Sequence, residues 1–139
     1  MSLQKVYSPT QAALGGLLGG ALASTYFIQQ NFKTVNDTKL VKKTNRYGTL
    51  VIVLILMMLP FIPENFPNMI IPFIIGFSTK TVIEKFQFKK EDIINNDDLD
   101  FHSNWRVFFI SFISMIIFTV VAISFLLIID TLGIVSLTE

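Results

Sequence analysis

The chain has 139 residues, of which 52% are hydrophobic and only 15% are charged. Soluble domains carry about 25% charged residues, so this composition argues against an ordinary water-soluble fold. The net charge of +1 gives no electrostatic basis for binding nucleic acid, and the absence of cysteine excludes disulfides, thiolate metal sites and cysteine nucleophiles.

The charged residues leave four uncharged segments between them. These are residues 6–32, 47–63, 65–79 and 107–129. The first and last are long enough for a transmembrane helix of about 20 residues. The third reaches that length if Lys80 extends its ammonium group to the lipid headgroups. We therefore predict an all-α integral membrane four-helix bundle. It forms a single domain over residues 1–139, with spans at about residues 9–32, 47–63, 67–85 and 104–130.

The first predicted span begins with a capping box and contains a ridge of small residues. Ser8 and Gln11 have the spacing of the box, and Pro9 suits the first turn of a helix. The ridge consists of Ala12, Gly15, Gly16, Gly19, Gly20 and Ser24. Small residues at this spacing let a second helix backbone approach closely. The ridge therefore packs either against the protein's own helices or against a partner, and the sequence leaves both interpretations open.

Prolines separate the second predicted span from the third. Pro60, Pro63 and Pro67 surround Glu64-Asn65-Phe66, so a straight helix cannot continue through this stretch. We expect two full crossings joined by a turn, with a re-entrant pair over residues 47–85 as the alternative. The turn residues Glu64, Asn65 and Phe66, together with Asp130, are candidates for recognition of a partner outside the cell membrane.

The basic residues predict how the bundle is oriented. Ten of the eleven Lys and Arg residues lie within residues 33–46 and 80–106. The positive-inside rule makes these the cytoplasmic side, with connectors at about residues 33–46 and 86–103. Four crossings then place both termini on the non-cytoplasmic side. Ala21-Leu22-Ala23 resembles a signal-peptidase site, but the positive charge follows the apolar run instead of preceding it, so we expect the segment to be retained.

The remaining polar residues do not predict catalysis. Three carboxylates lie near the lone histidine, His102, but their spacing matches no calcium loop, so we expect a solvated loop with no metal and no cofactor. No charged side chain lies in a predicted span away from its ends, whereas proton-coupled transport or intramembrane hydrolysis would require one there. The sequence therefore predicts a protein that is not an enzyme.

Several short motifs carry a family resemblance. They are Tyr7-Ser8-Pro9-Thr10-Gln11, the double-glycine stretch ending at Gly20, Asn31-Phe32 and the segment from Pro60 to Pro67. Together they resemble small uncharacterised inner-membrane proteins of Gram-negative bacteria. The resemblance implies a multi-pass protein of the bacterial inner membrane and assigns no role to any residue. The architecture is also similar to that of membrane-embedded immunity proteins.

These observations lead to a functional hypothesis. An inert interior, a small-residue ridge and little mass outside the bilayer favour binding of another protein within the membrane. The most concrete form is an immunity protein that neutralises a membrane-targeting bacterial toxin. The alternatives are a self-associating channel or transport component and a structural subunit of a larger membrane complex.

Overall fold

The computed structural model describes residues 3–134, and these form five α-helices and one short two-stranded sheet. The helices are α1 (Pro9–Thr34), α2 (Thr38–Met58), α3 (Ile70–Phe86), α4 (Lys90–Ile94) and α5 (Asn104–Thr131), and the strands are β1 (Gln4–Val6) and β2 (Leu99–Phe101). A 3-10 turn at Leu59–Phe61 extends α2. The predicted all-α class is confirmed, with one small sheet that the sequence analysis did not predict.

Three stretches of helix are long and apolar enough to cross a membrane. They are Pro9–Thr34, Thr38–Phe61 and Asn104–Thr131, judged by length and composition over the described residues. Helix α3 has 17 residues and is almost as long. At 1.5 Å per residue it measures roughly 26 Å, close to the hydrocarbon thickness of roughly 30 Å.

Helix α1 turns back on itself at Gly20. This residue has φ 66° and ψ −158°, which lies far outside the helical region. A Cβ added to Gly15 would collide with the ring of Phe27, and one added to Gly16 would collide with the Ser24 hydroxyl. Residues 15 and 27 would be about 18 Å apart along a straight helix. Residues 9–19 and 21–34 therefore form the two antiparallel arms of a helical hairpin.

The predicted span over residues 9–32 agrees with α1 in length and apolar character, but α1 is a helical hairpin and not one straight helix. Both backbone polar groups of Tyr7 bond to the side chain of Asn31, so the two ends of the hairpin lie side by side. A segment with adjacent ends cannot enter one membrane face and leave through the other. The physical cause is the conformation of Gly20, which only glycine adopts readily. Length and hydropathy, on which the prediction rested, do not report a reversal at one residue.

The small sheet corrects the predicted position of the amino terminus. Strand β1 pairs in parallel with β2, with Gln4 opposite Leu99 and Val6 opposite Phe101. Residues 4–6 therefore lie beside the connector at residues 86–103. The prediction placed these two segments on opposite sides of the membrane, and the backbone pairing between them excludes that arrangement.

The hairpin forms the centre of the molecule, and the long helices pack around it. Helix α3 contacts the first arm where Gly76 meets the backbone of Ala13. Helix α5 contacts it where the backbone of Ser111 meets Gly19. Helix α2 approaches the second arm at Gly48 and has no buried residue of its own. The hydrophobic core therefore lies within the hairpin and at its open end.

The connectors are more structured than predicted. Asp37 caps α2 by accepting a 2.9 Å bond from the backbone N–H of Leu40. Helix α2 begins directly after it, so most of the predicted connector at residues 33–46 is helical. Helix α4 and strand β2 lie within residues 86–103. The turn between α2 and α3 covers residues 62–69, as the prolines indicated.

Candidate functional site

The open end of the hairpin meets α3 and α5 in a polar cluster that we call the junction. It consists of Tyr7, Asn31, Gln87, His102 and Arg106. Asn31 is completely buried, accepts a bond of 2.8 Å from the Tyr7 N–H, and donates one of 2.9 Å to the Tyr7 carbonyl. Its amide also donates to Gln87 Oε1 at 2.9 Å. One side chain thereby connects both arms of the hairpin to the end of α3.

The Tyr7 ring occupies the middle of the junction. Its centroid is 4.7 Å from that of Phe27 and 4.2 Å from that of His102, on which it stacks. Arg106 Nε donates a 3.0 Å bond to the Tyr7 hydroxyl. Burial raises the pKa of Tyr7 above 10.0, and the neighbouring guanidinium of Arg106 opposes that shift. The tyrosine is therefore a neutral anchor that positions the beginning of α5 against the hairpin.

His102 attaches the β2 segment to the hairpin. Burial lowers its pKa below 6.5, the positive charges of Arg106 and Lys5 lower it further, and Asp100 opposes them. The backbone carbonyl of His102 accepts a 2.7 Å bond from Gln11 Nε2, so the capping residue of α1 also holds this loop. The imidazole is therefore neutral at pH 7, and its ring stabilises the junction by stacking on the ring of Tyr7.

The small-residue ridge is used inside the molecule. Ala12, Gly15, Gly16, Gly19 and Ser24 are all buried, and Gly20 forms the turn. Thr79 Oγ1 lies 2.7 Å from Ser24 Oγ and joins α3 to the second arm. Of the two interpretations left open by the sequence, packing against the protein's own helices accounts for these contacts. Five of the six ridge residues are therefore buried inside the protein, and Gly20 alone among them is half-exposed.

The residues predicted for external recognition lie at the opposite end from the junction. Glu64 and Asn65 are exposed, and Phe66 is half-buried and donates its N–H to the Pro63 carbonyl at 2.9 Å. Asp130 is half-buried in the last turn of α5. The 3-10 turn that precedes this loop contacts α5. The structure thus places the predicted residues at one end of the molecule.

An exposed aromatic surface runs along the first turns of α5. We call it the aromatic patch, and it consists of Trp105, Phe108, Phe109 and Phe112. Trp105 is 71% exposed and Phe109 is 56% exposed. The rings of Phe108 and Phe112 stack with centroids 6.0 Å apart and planes inclined by 12°. The patch is therefore an ordered apolar surface that faces outward.

Two cavities lie between the hairpin and the surrounding helices. One has a volume of about 480 Å³ and lies between the first arm and α5. Its wall includes Ser111, whose buried hydroxyl has no hydrogen-bond partner among the described residues. The other has a volume of about 520 Å³ and lies between the second arm, α2 and α3. The lining of the first cavity is half polar, whereas that of the second is mainly apolar.

Sequence reasoning missed the junction. Its members come from residues 7, 31, 87, 102 and 106, and no local spacing connects them. The one signal was the cluster of amides that ends the first apolar run, at Gln29, Gln30 and Asn31. Amides at the end of an apolar run are typical of the headgroup level, but the structure buries Asn31 against Tyr7.

The described residues form two cavities and an exposed aromatic surface. Within residues 3–134, no three His, Cys, Asp or Glu side chains come together as metal ligands would. The polar side chains of the junction bond mainly to backbone groups and to one another, which fixes the fold. Comparison with known proteins gave no match, since no family model, no curated protein and no solved structure is similar to this chain.

Proposed function

We propose that the chain is an integral membrane protein with three crossings, α2, α3 and α5, and one re-entrant hairpin, α1. Each arm of the hairpin has 11 to 14 residues and measures roughly 17–21 Å, little more than half of a roughly 30 Å hydrocarbon core. Non-helical backbone at membrane depth is tolerated where protein surrounds it. Packing of the hairpin against all three crossings supports this arrangement.

The basic residues support an orientation in which the junction faces the cytoplasm. All eleven Lys and Arg residues belong to residue 5 or to residues 33–46 and 80–106, which lie at or near the junction end. The positive-inside rule then places the amino-terminal strand inside and the Glu64 turn outside. We further propose the bacterial inner membrane as the location, as the sequence resemblance implies.

Cysteine labelling tests this topology, because the natural chain has no cysteine. Single variants Lys5→Cys, Asp97→Cys and Asn65→Cys are treated in intact cells with a membrane-impermeant maleimide. We expect labelling of the Asn65 variant alone, and labelling of the other two after the membrane is opened. Labelling of the Lys5 variant from outside would contradict the re-entrant hairpin and favour four crossings.

Within the membrane, we propose that the protein binds another protein through the aromatic patch. The carrying observation is the exposure of α5, in which only five of 28 residues are buried while four neighbouring aromatic rings contact one another on its surface. Aromatic side chains supply a large share of binding energy in protein interfaces. Because five of the six ridge residues are buried, we propose the outer surface of α5 as the interface in place of the ridge.

The most concrete form of the proposal remains neutralisation of a membrane-targeting toxin. A toxin helix lying along the aromatic patch would be held apart from other toxin copies, and pore assembly would stop. The test is co-expression with the product of the adjacent gene in sensitive cells. We expect protection by the natural protein and loss of protection by the double variant Phe109→Ala, Phe112→Ala at equal membrane abundance.

Photo-crosslinking identifies the partner directly. A photoreactive phenylalanine analogue replaces Phe109 in the patch, and the matched control carries it at Phe77, which is 74% exposed on α3 and lines neither cavity. A crosslink to a different protein from Phe109 alone supports the proposal. A crosslink to a second copy of the chain supports the alternative of a self-associating channel or transport component. Equal crosslinking at both positions would overturn a specific interface.

A further inference from the structure

We infer that the cavity between the second arm of α1, α2 and α3 binds one acyl chain of an anionic phospholipid from the cytoplasmic leaflet. We call this cavity the acyl groove. Its volume of about 520 Å³ falls within the range of about 300–1,000 Å³ that is usual for small-molecule sites. Its walls are mainly apolar and include Ile28, Phe32, Val51, Ile74, Val82 and Phe86.

The depth of the acyl groove matches a single leaflet. Along α3 it extends from Phe86, at the cytoplasmic end, to Ile74, which is 12 residues and roughly 18 Å deeper. Ala21, directly after the hairpin turn, lines the inner end. Half of a bilayer core is roughly 15 Å thick. The hairpin turn therefore limits the acyl groove near the middle of the bilayer, where an acyl chain of the same leaflet ends.

The mouth of the acyl groove has the charge that an anionic headgroup requires. Lys43 is the one charged side chain among the described residues that line the groove. Its ammonium lies 5.8 Å from the ring centroid of Tyr47, at the end where headgroups would lie. The groove has no lining carboxylate to neutralise it. A negatively charged phosphate beside Lys43 is thus favoured over a headgroup with no net charge.

The contact between α2 and the second arm favours a narrow occupant. A Cβ added to Gly48 would collide with the Thr25 side chain, so the two helices touch directly at one wall of the acyl groove. An α-helix with its side chains is at least about 10 Å wide and could not pass between helices that are in contact, whereas a single acyl chain is much narrower.

Native mass spectrometry of the full-length protein in detergent tests the inference, with added phosphatidylglycerol or phosphatidylcholine of identical acyl chains. We expect one phosphatidylglycerol to be retained preferentially. Lys43→Gln should weaken its retention about fivefold, from a contribution of about 1 kcal/mol per basic residue. Lys42→Gln is the matched control, since Lys42 does not line the groove, and it should change nothing.

A second pair of variants tests the apolar part of the acyl groove. Ser78 lines the groove and Thr81 lies outside it on the exposed side of α3. Ser78→Phe should fill the space and abolish retention, whereas Thr81→Phe should leave it intact. Equal retention of both lipids, equal effects of the two lysine variants, or full retention by the Ser78 variant would each overturn the inference.

The inference rests on the proposed membrane location and does not require a protein partner. Lipid retention is measured on the purified chain, whereas the partner proposal is tested by crosslinking in cells. A protein that retains the lipid but crosslinks to nothing would leave the acyl groove supported and refute the partner proposal. A protein that crosslinks to a partner but shows no lipid preference would support the partner proposal and refute the acyl groove.

Discussion

Replacing Gly20 with alanine distinguishes the hairpin from a straight helix by the sign of the effect. Gly20 has φ 66° and ψ −158°, a region essentially restricted to glycine. No atom lies within 4 Å of the position a Cβ would occupy, so the substitution creates no steric collision. Backbone strain of about 1–3 kcal/mol therefore remains as the expected loss in the free energy of unfolding.

A straight transmembrane helix would respond in the opposite direction. Glycine in the middle of a helix is about 1 kcal/mol less favourable than alanine, so Gly20→Ala would stabilise a continuous helix by that amount. The assay is reversible unfolding in mixed detergent micelles, followed by helical circular dichroism. Ala13→Gly serves as the control, because residue 13 is helical in both architectures. This variant should lower the free energy of unfolding by about 1 kcal/mol in either case. A stabilising effect of Gly20→Ala would refute the hairpin.

A distance measurement provides a second test of the same reversal. Thr34 Oγ1 lies 3.5 Å from the backbone carbonyl of Lys5, whereas a straight α1 would separate these residues by roughly 38 Å. The double variant Lys5→Cys, Thr34→Cys should form a disulfide under mild oxidation in the membrane. The control pair Lys5→Cys, Asn65→Cys should not. Absence of the first crosslink in folded protein would contradict the structure.

Three further predictions follow from the junction and the hairpin. Asn31→Leu should cost at least about 2 kcal/mol of unfolding free energy in the same micelle assay, since it leaves both backbone groups of Tyr7 buried without partners. Thr79→Val should cost about 0.6 kcal/mol, with the coupling to Ser24 measured by a double-mutant cycle. The lowered pKa of His102 means that the unfolded chain binds the proton more readily. The free energy of unfolding should therefore be highest above pH 6.5 and decrease as the pH drops below that value. Thermal melts recorded from pH 7.5 to 5 measure this change.

These predictions have matched controls. Gln30→Leu makes the same change beside Asn31, at a half-exposed amide for which the structure shows no hydrogen bond, and should have little effect. The variant His102→Gln should show a weaker loss of stability on acidification than the natural protein. An unchanged pH profile in that variant would show that other groups are responsible. A double-mutant cycle in which Thr79 and Ser24 show no coupling would indicate that the Thr79 hydroxyl is satisfied within α3 alone, by the Ile75 carbonyl.

The positions of most helices could be predicted from the sequence, because the free energy of burying charge limits where spans begin and end. Helix α5 covers Asn104–Thr131, against an expected 104–130, and α3 covers Ile70–Phe86, against 67–85. The capping box at Ser8 and Gln11 is present as expected. These features depend on local composition and on interactions between neighbouring residues.

The path of α1 could not be predicted in the same way. Its 26 residues have the length and hydropathy of a crossing. The reversal depends on the backbone angles of Gly20 and on contacts with residues far along the chain, such as Thr79 and Ser111. The pairing of β1 with β2 is likewise non-local, since three-residue strands have no recognisable pattern. The junction was missed for the same reason, because Asn31 and Gln87 are separated by 55 intervening residues.

The central position of the hairpin has a consequence for biogenesis. The surfaces that cover its arms belong to α3 and α5, and the strand that secures its beginning pairs with residues 99–101. All of these emerge from the ribosome after the hairpin itself. At the proposed membrane location, the hairpin is synthesised first and stays uncovered until α3 and α5 have been made and pack against it. Nascent chains arrested before α5 should remain sensitive to protease in their amino-terminal part, and completed chains should become resistant.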